Sequence, residues 1–403
     1  MGEISLEDVF AAYFACRKRK RGTFNALKFE LDYERKCIEL WNEINSRTYH
    51  PSRSIAFVVS KPVCREVFAA DFRDRVVHHL IADRISPLME QVFIEDSYST
   101  RKGKGTLYGV KRVERFVRDC SNEYTRDCYI MKLDIRSFFM SLDKQLLYDK
   151  LVPFLKTHYQ GDDLDILLYL IRETIFNRPE LNCVLKTPKS RWKDMPKSKS
   201  LFYSDGMHGL PIGNLTSQLF ALFYLNELDH LILGEWKVRY YGRYVDDMIF
   251  VHESKDFLLD IRERVSVWLA GYGLTLHPQK FYLQHYAKGV SFIGGIILPG
   301  RMYVSNRTVG YCHDMITKYN GKIRTGYPEA VTEVEHFVSS INSYFGCMIH
   351  FSSYNIRKRM MERLSKSWWK LIYFEGNRRK AVVKKPFKIS TYFINSLKTK
   401  DYA

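Results

Sequence analysis

Three aspartates are the residues of this sequence best suited to catalysis. Asp246 and Asp247 stand side by side in the segment Tyr244-Val245-Asp246-Asp247, between two β-branched and aromatic runs that predict a tight hairpin. Asp134 ends a short apolar run, where a predicted strand gives way to a helix. Carboxylates can hold two Mg²⁺ ions about 3.5–4 Å apart, and such a pair clamps the attacking and leaving oxygens of a phosphoryl transfer.

Each of the two motifs also has an ordinary structural explanation. Adjacent aspartates are common in turns because Asp tolerates turn geometry, and an Asp at a strand end often caps the following helix. The two motifs together favour a metal site on neighbouring strands. Three carboxylates there would meet the needs of Mg²⁺ without any His or Cys.

The balance of charge indicates a polyanionic partner. Lys and Arg number 63 against 45 Asp and Glu, a formal net charge of +18, with dense basic runs at 17–21, 186–199 and 378–385. Such a field attracts nucleic acid, although a merely solvated basic surface is the alternative explanation. Tyr and Phe are abundant at 27 and 26, and exposed rings would suit base stacking.

Length and cysteine usage narrow the class of protein. A chain of 403 residues with 46% apolar residues can bury a substantial core, which argues against disorder. The eight cysteines form no C-x-x-C pair, so a zinc site is not expected. We expect the cysteines to be reduced thiols. No signal peptide is predicted, and the longest strongly apolar run, residues 219–225, is too short to span a bilayer. We therefore expect a cytoplasmic protein with no membrane partner.

The elements that would position the aspartates alternate between helices and strands. Residues 178–209 are rich in Pro, Lys, Ser and Gly without periodicity, which predicts a loop-like insertion. The pattern as a whole predicts an α+β architecture. The predicted elements are helices at 1–50, 72–88, from about 144 and at 215–233, strands at 55–60, 129–133, 238–245, 248–251, 281–298 and 302–305, and helices over the last hundred residues.

Several further motifs, taken in order, resemble the consecutive sequence blocks of reverse transcriptases. The resemblance covers about residues 55–360 and implies a right-hand polymerase fold, with fingers, a palm containing an antiparallel sheet, and a helical thumb. Its blocks are Lys61-Pro62-Val63-Cys64-Arg65, Ser97-Tyr98, Asp134, Gly213-Asn214-Leu215-Thr216-Ser217-Gln218, Tyr244-Val245-Asp246-Asp247, His277-Pro278-Gln279-Lys280 and Phe292-Ile293-Gly294-Gly295.

The resemblance implies roles around the two Mg²⁺ ions. Asp134 and Asp246 would be the principal ligands and Asp247 a weaker third, with Ile135 beside Asp134 included in the metal set. Lys280 resembles the lysine that protonates the leaving pyrophosphate, and a solvated loop residue is its alternative explanation.

The resemblance also implies a set of nucleotide-binding residues. Lys61 and Arg65 would hold the incoming triphosphate, and a fork-shaped guanidinium suits phosphate oxygens. Phe139, five residues after Asp134, would contact the sugar and exclude a 2′-hydroxyl, unless it merely packs in the core. The remaining members of the set are Ile212, Gly213 and Gln218.

The segment around Gly213 indicates a subgroup. Most reverse transcriptases place Gln before this Gly and Pro after the Ser, where this chain has Ile212 and Gln218. That pattern is similar to the enzymes of diversity-generating retroelements, which miscopy template adenine and work with a basic accessory protein. A branched alkyl group cannot hydrogen-bond near the nascent pair, which would relax fidelity, unless Ile212 only packs. Bacterial antiphage reverse transcriptases and an inactive RNA-binding scaffold stay open as alternatives.

The resemblance predicts domains and partners. The partners are dNTPs, a template RNA and the RNA/cDNA duplex. The domains are an N-terminal helical extension at 1–50, fingers at 51–128, palm at 129–145 and 206–300, an insertion at 146–205, a thumb at 301–372 and a basic tail at 373–403. Trp368 and Trp369 are expected in the core. The thumb residues expected to face the duplex are Tyr344, Arg357 and Lys358, with His336, Tyr354 and Arg359.

Overall fold

A computed structural model describes residues 2–18, 22–60, 63–193, 195–324 and 331–384. Its helices and strands confirm the predicted α+β class. The helices are α1 (Leu6–Arg17), α2 (Phe24–Glu30), α3 (Tyr33–Asn45), α4 (Phe72–Val92), α5 (Thr106–Cys120), α6 (Phe138–Ser141), α7 (Lys144–His158), α8 (Leu164–Phe176), α9 (Leu215–Tyr224), α10 (Asn226–His230), α11 (Lys255–Gly271), α12 (Asn306–Arg324), α13 (Val331–Met348), α14 (Tyr354–Glu362) and α15 (Trp368–Leu371).

The strands form four small sheets, in the orders β2–β1–β4, β5–β6–β3–β7, β10–β9–β8 and β11–β12. The strands are β1 (Ser54–Val59), β2 (Arg65–Ala69), β3 (Tyr129–Asp134), β4 (Cys183–Leu185), β5 (Tyr240–Tyr244), β6 (Asp247–His252), β7 (Tyr282–His285), β8 (Val290–Phe292), β9 (Gly295–Leu298), β10 (Arg301–Val304), β11 (Ile372–Glu375) and β12 (Lys380–Val383).

The chain divides into two compact units. The first consists of Met1–Gly105 and Met131–Leu283, and the second of Thr106–Ile130 and Gln284–Ala403. This division differs from the predicted domains, because α5 and β8–β10 group with the helical second unit rather than with fingers or palm. The predicted domain bounds stay a prediction. None of the helices in the described ranges is long and apolar enough to cross a membrane.

The first unit carries the sheet that holds the predicted catalytic aspartates. Four consecutive residues of β6 are fully buried, from Met248 to Val251, because β6 lies inside the sheet between β5 and β3. The long helix α4 packs against α1 and α9 within this unit. The predicted buried helix at 215–233 exists, but it is divided into α9, α10 and a wider turn over Leu231–Glu235.

The predicted insertion contains more structure than its composition indicated. Strand β4 pairs parallel with β1, with Ser54 opposite Cys183, and three short 3₁₀ turns follow it. The expectation of an unstructured loop was therefore wrong for part of residues 178–209. Three-residue strands and single turns are too short to produce a periodic pattern in the sequence.

The second unit has its own hydrophobic core. Trp368 stacks on Phe337 at 4.0 Å between ring centroids, and strand residues Ile372 and Ala381 belong to the same core. The hairpin β11–β12 therefore extends the folded unit past residue 372, where a tail was predicted to begin. Trp369 is 39% exposed, so the expectation that it lies in the core was wrong. Residues 385–403 of the predicted tail lie outside the described residues.

Candidate active site

A tight turn joins β5 to β6 and carries two of the predicted metal ligands. The strands pair antiparallel up to Tyr244 opposite Asp247, so Val245 and Asp246 form the connection. Val245 has a φ of +58°, in the left-handed region that β-branched residues rarely adopt. Asp246 thus lies in the turn itself, and Asp247 is the first residue of β6.

Asp134 is the last residue of β3, the strand next to β6. The Ile135 amide donates to the Asp246 carbonyl at 3.3 Å, and the His277 amide donates to the Asp134 carbonyl at 2.7 Å. These main-chain bonds tie the end of β3 to the β5–β6 turn and to the loop after α11. The Asp134 residue is only 8% exposed.

The three carboxylates share one electrostatic field. The pKa of Asp246 is raised to about 7, first by burial and then by the charges of Asp247 and Asp134. The pKa of Asp247 is raised by burial and by Asp134, while the cations Lys132 and Lys280 oppose that rise. A bound cation would relieve this repulsion, and carboxylate oxygens are the donors that Mg²⁺ prefers. The donor set therefore fits a magnesium site in its chemistry.

Lys280 supplies a positive charge to this cluster. Its Nζ lies 2.7 Å from Asp134 Oδ2. Within the described ranges, no three His, Cys, Asp or Glu side chains are gathered closely enough to hold a metal ion as they stand. Asp134 is instead neutralised by Lys280.

A cavity of about 270 Å³ opens beside the Asp134–Lys280 pair, lined also by α11 and the loop that follows it. Arg262 of α11 lies over the Phe281 ring, with the guanidinium carbon 4.5 Å from the ring centroid. Lys280 itself lines this cavity.

Of the two cations predicted to hold the triphosphate, the structure describes Arg65. Arg65 is the exposed first residue of β2, and its charge opposes the rise in the pKa of Asp247. Arg65 therefore acts electrostatically on the carboxylate cluster. Lys61 lies outside the described residues.

Main-chain hydrogen bonds hold the residues that are predicted to contact the sugar and the nascent base pair. Half-buried Phe139 accepts a hydrogen bond at its carbonyl from the Leu210 amide at 2.8 Å, and the Ile212 carbonyl accepts one from the Phe68 amide at 3.0 Å. Gly213 has a φ of +123°, and a Cβ there would lie 2.8 Å from a β2 side chain. Only glycine permits this close approach of the segment to β2.

Gln218 and the predicted duplex contacts have partners within the protein. Gln218 Oε1 accepts from the Thr100 hydroxyl at 2.9 Å. Arg357 is 7% exposed, and its Nη1 donates to the Arg378 carbonyl at 2.7 Å, so its guanidinium packs within the second unit. Tyr344 packs against the core of that unit. The exposed residues of the set are His336, Tyr354, Lys358 and Arg359. Duplex contact by any of these residues stays a prediction.

The sequence did not predict the buried ion pair that lies under the β5–β6 turn. Arg243 Nη2 and Nε bond to the two carboxylate oxygens of Asp229, and both side chains are completely buried. The Tyr241 hydroxyl also donates to Asp229, at 2.7 Å. The only sequence signal was an arginine within a predicted strand and an aspartate near the end of a predicted buried helix, since residues of this charge are rarely buried unless paired.

The segment around Ser97-Tyr98 binds through its main chain to β5, the strand that carries Arg243. The Arg243 amide donates to the Asp96 carbonyl at 2.8 Å, and the Tyr98 amide donates to the Arg243 carbonyl at 2.9 Å. A Cβ on Gly242 would overlap the Tyr98 hydroxyl, so only glycine fits there. These bonds therefore fix β5 directly before the β5–β6 turn.

One family model matches the chain. The family described as reverse transcriptase (RNA-dependent DNA polymerase) matches residues 64–297, more than half of the 403 residues. The match includes the three aspartates, Lys280 and the segment around Gly213. No curated protein sequence matches the chain.

Solved structures of telomerase are similar at low identity. Apo telomerase from Candida tropicalis is 12% identical with a TM-score of 0.46, over 81% of this chain and 64% of that one. A form truncated from its C-terminal domain is 14% identical with a TM-score of 0.44, over 63% and 55%. Candida albicans telomerase in complex with a TWJ fragment of telomeric RNA is 11% identical with a TM-score of 0.41, over 79% and 56%. The chain thus spans less than two thirds of the length of each of these telomerase chains.

Proposed function

The chain belongs to the reverse transcriptase family, and from this membership we propose that it copies an RNA template into cDNA by two-metal phosphoryl transfer. The polymerase fold expected from the sequence is confirmed by the same family match. The observation that carries the proposed activity is the placement of Asp134 at the end of β3 beside the β5–β6 turn, held there by the Ile135–Asp246 main-chain bond.

Asp134, Asp246 and Asp247 would hold two Mg²⁺ ions, with the main chain at Ile135 beside them. When bound, the ions stabilise the attacking 3′-oxygen and the leaving pyrophosphate oxygen. The protein contributes a fixed framework for this chemistry. The Ile135–Asp246 main-chain bond holds β3 to the turn, so the backbones of Asp134 and Asp246 stay together.

Lys280 changes partner in this proposal. Its Nζ lies 2.7 Å from Asp134 Oδ2, and a Mg²⁺ ion held by Asp134 would take over the neutralisation of that carboxylate. The freed Nζ would then donate a proton to the leaving pyrophosphate, in keeping with general acid catalysis by a positioned side chain.

The residues around the carboxylates would select the nucleotide. Arg65, with Lys61, would bind the triphosphate, because cations stabilise phosphate oxygens in charge-assisted hydrogen bonds. Phe139 would lie against the sugar and exclude a 2′-hydroxyl. The main-chain bond to Leu210 fixes the Phe139 backbone, which suits a residue that must reject a group by its bulk.

We further propose that the enzyme is error-prone opposite template adenine and serves a diversity-generating retroelement in the cytoplasm, with a basic accessory protein. Support comes from Ile212, whose main chain is fixed by Phe68 while its alkyl side chain offers no hydrogen bond. An antiphage enzyme that copies a non-coding RNA is the second candidate. A template/variable repeat pair in the neighbouring genes would favour the first, and an adjacent structured RNA without repeats the second.

The test is primer extension on an RNA template with Mg²⁺ and dNTPs, by the wild-type chain and by Asp246→Asn. Asn keeps the shape of the side chain and removes the charge that binds the metal. We expect cDNA from the wild type, a loss of at least about a hundredfold in the variant, and errors concentrated at template adenines on sequencing.

RNA binding by both proteins is measured in parallel. If neither protein makes cDNA, even with its native RNA and the basic accessory protein, while both bind RNA, an inactive RNA-binding scaffold replaces the polymerase proposal. Equal cDNA synthesis by the two proteins would exclude Asp246 as a metal ligand.

A further inference from the structure

We propose that residues 186–203 form a binding surface for the single-stranded part of the RNA template. We call this surface the template platform. The inference rests on the proposed polymerase function and adds a site to it, because none of its residues belongs to the nucleotide or metal set. Its ligand is RNA, recognised by phosphate charge and by base stacking.

The platform carries a cluster of unpaired cations. In the part of the chain that the structure describes, none of its basic side chains forms an ion pair, although many other surface cations of the first unit do. Five of the six are exposed, and the sixth is half-buried. Cations without local counter-charges are available to phosphates. They are Lys186, Lys189, Arg191, Lys193, Lys197 and Lys199. The acidic residue in the run, Asp194, lies outside the described residues.

Aromatic rings lie among these cations. Tyr203 is 60% exposed, and Lys197 Nζ lies 5.4 Å from its ring centroid. Phe202 is 38% exposed, and its ring contacts Phe68 at 5.4 Å between centroids. Exposed rings beside cations are the combination that binds unpaired bases and their phosphates together. A paired duplex would hide its base faces, so this surface fits a single strand.

The platform is held in place by a buried carboxylate, which separates it from an ordinary solvated loop. Glu66 is 1% exposed and accepts hydrogen bonds from Trp192 Nε1 at 2.6 Å, Ser200 Oγ at 2.7 Å and the Leu201 amide at 2.7 Å. Three bonds from the platform thus converge on one side chain. Burial raises the pKa of Glu66, and the three donors offset part of that rise.

The start of the platform is fixed as well. The Lys186 amide donates to the Ala56 carbonyl at 2.8 Å, and the Thr187 hydroxyl accepts from the Val58 amide at 3.1 Å. Leu201 packs with Ala56 and Phe68 in a small core below. Both ends are therefore attached to the β1–β2 strands, and the cations project from a fixed base.

The attachment links the platform to the active site through one strand. Glu66 and Arg65 are neighbours on β2, where successive side chains point to opposite faces. Arg65 acts on Asp247, and Glu66 binds the platform. The platform and Arg65, to which the proposed function assigns the nucleotide, are therefore attached to the same strand, on its two opposite faces.

The test compares two triple variants with equal loss of charge. One removes platform cations (Lys189→Gln, Arg191→Gln, Lys193→Gln), and the control removes exposed first-unit cations elsewhere (Lys156→Gln, Lys237→Gln, Lys255→Gln). Both variants carry Asp246→Asn, so binding is measured without synthesis. The probe is a primer–template duplex with or without a 12-nucleotide RNA overhang.

We expect the platform triple variant alone to lose affinity for the overhang probe, on the order of tenfold at 0.15 M salt. The slope of log affinity against log salt should become shallower by about 2, at about 0.7 for each of three phosphates. Tyr203→Ala should lower affinity for the same probe roughly tenfold, whereas Tyr203→Phe should keep it, because stacking needs only the ring.

Equal losses in the platform and control variants would overturn the proposal, because net charge alone would then explain them. Losses equal for both probes would also overturn it, since the surface would then bind duplex. If the platform triple variant keeps its affinity for RNA, the platform does not bind RNA, and an acidic protein would be its partner. If the wild-type chain makes no cDNA although the platform binds the overhang probe, that result counts against the polymerase function and not against the platform.

Discussion

The guanidinium of Arg243 lies beneath the β5–β6 turn, where its Nη1 donates to the Val245 carbonyl at 3.0 Å. Val245 is the turn residue with a φ of +58°. A valine held in the left-handed region costs on the order of 1–3 kcal/mol and persists only where its surroundings enforce it. The buried Asp229–Arg243 pair is one such surrounding. We infer that the pair positions Asp246 through the Val245 main chain.

Breaking this pair should destabilise the protein. Asp229→Asn leaves the Arg243 charge buried without a counter-charge, and we expect a loss of about 3–5 kcal/mol in the free energy of unfolding. Urea denaturation of the metal-free protein measures it. The matched control is Asp260→Asn, which breaks the exposed Arg264–Asp260 pair and should cost less than about 1 kcal/mol. Similar losses in both variants would contradict the prediction.

An apolar replacement of the Asp229–Arg243 pair distinguishes its effect on the stability of the protein from its effect on the position of Asp246. The triple variant Tyr241→Phe, Asp229→Leu, Arg243→Met removes every polar side-chain group of the cluster but leaves the Leu222 carbonyl without its Arg243 donor, so part of the lost stability should return. The Val245 carbonyl still lacks its donor, and kcat should stay at least about tenfold below that of the wild type with KM for dNTP little changed. A triple variant with wild-type kcat would show that the pair only stabilises the fold.

The contrast between this pair and the catalytic aspartates shows what the sequence could predict. The Asp246-Asp247 hairpin was visible because its signal is local, namely two β-rich runs around adjacent carboxylates. Arg243 and Asp229 lie on different elements, 14 residues apart, and only tertiary packing brings them together. Such a contact leaves no periodic pattern in a single sequence.

The same distinction applies to the rest of the fold and site. Long helices such as α4 were predicted because their apolar spacing repeats, whereas β4 and the β11–β12 hairpin are too short to stand out. The Asp134–Lys280 contact joins residues 146 positions apart, and only the resemblance to a family connected them. Glu66 gave no signal at all, because its donors Trp192 and Ser200 lie in an aperiodic insertion.

The size of Phe139 should decide between deoxyribonucleotides and ribonucleotides. Phe139→Val would open space beside the sugar, and we expect the preference for dNTP over rNTP in kcat/KM to fall at least about tenfold. Phe139→Tyr keeps the ring and should keep the preference. Single-nucleotide incorporation on an RNA template measures both. If Phe139→Val discriminates like the wild type, Phe139 is a packing residue.

Ile212 should influence copying errors. Ile212→Gln introduces a hydrogen-bonding group near the nascent pair, and we expect misincorporation opposite template adenine to fall several-fold. Ile212→Val keeps an alkyl side chain and should keep the error spectrum. Sequencing of cDNA made on a template with all four bases gives the comparison. An identical spectrum in all three proteins would exclude a role for this side chain in fidelity.

His78 should make the fold sensitive to acid. It lies on α4, buried against α9, and its Nδ1 is 2.8 Å from the Thr216 hydroxyl. Burial, then the charges of His79 and Arg75, lower its pKa from 6.5 to about 3. The unfolded chain therefore takes up the proton first as the pH falls. The stability associated with neutral His78 is fully present above pH 6.5 and is lost between pH 6.5 and about 3.

We expect His78→Asn to lower stability at pH 7.5, because it leaves a gap, and to weaken the decline in the free energy of unfolding between pH 6.5 and 4. The control His158→Asn changes an exposed histidine and should decline in parallel with the wild type. Urea denaturation at several pH values distinguishes the curves, and the difference between variants cancels the contribution of carboxyl groups common to all. A His78→Asn curve parallel to the wild type would show that another group causes the acid sensitivity.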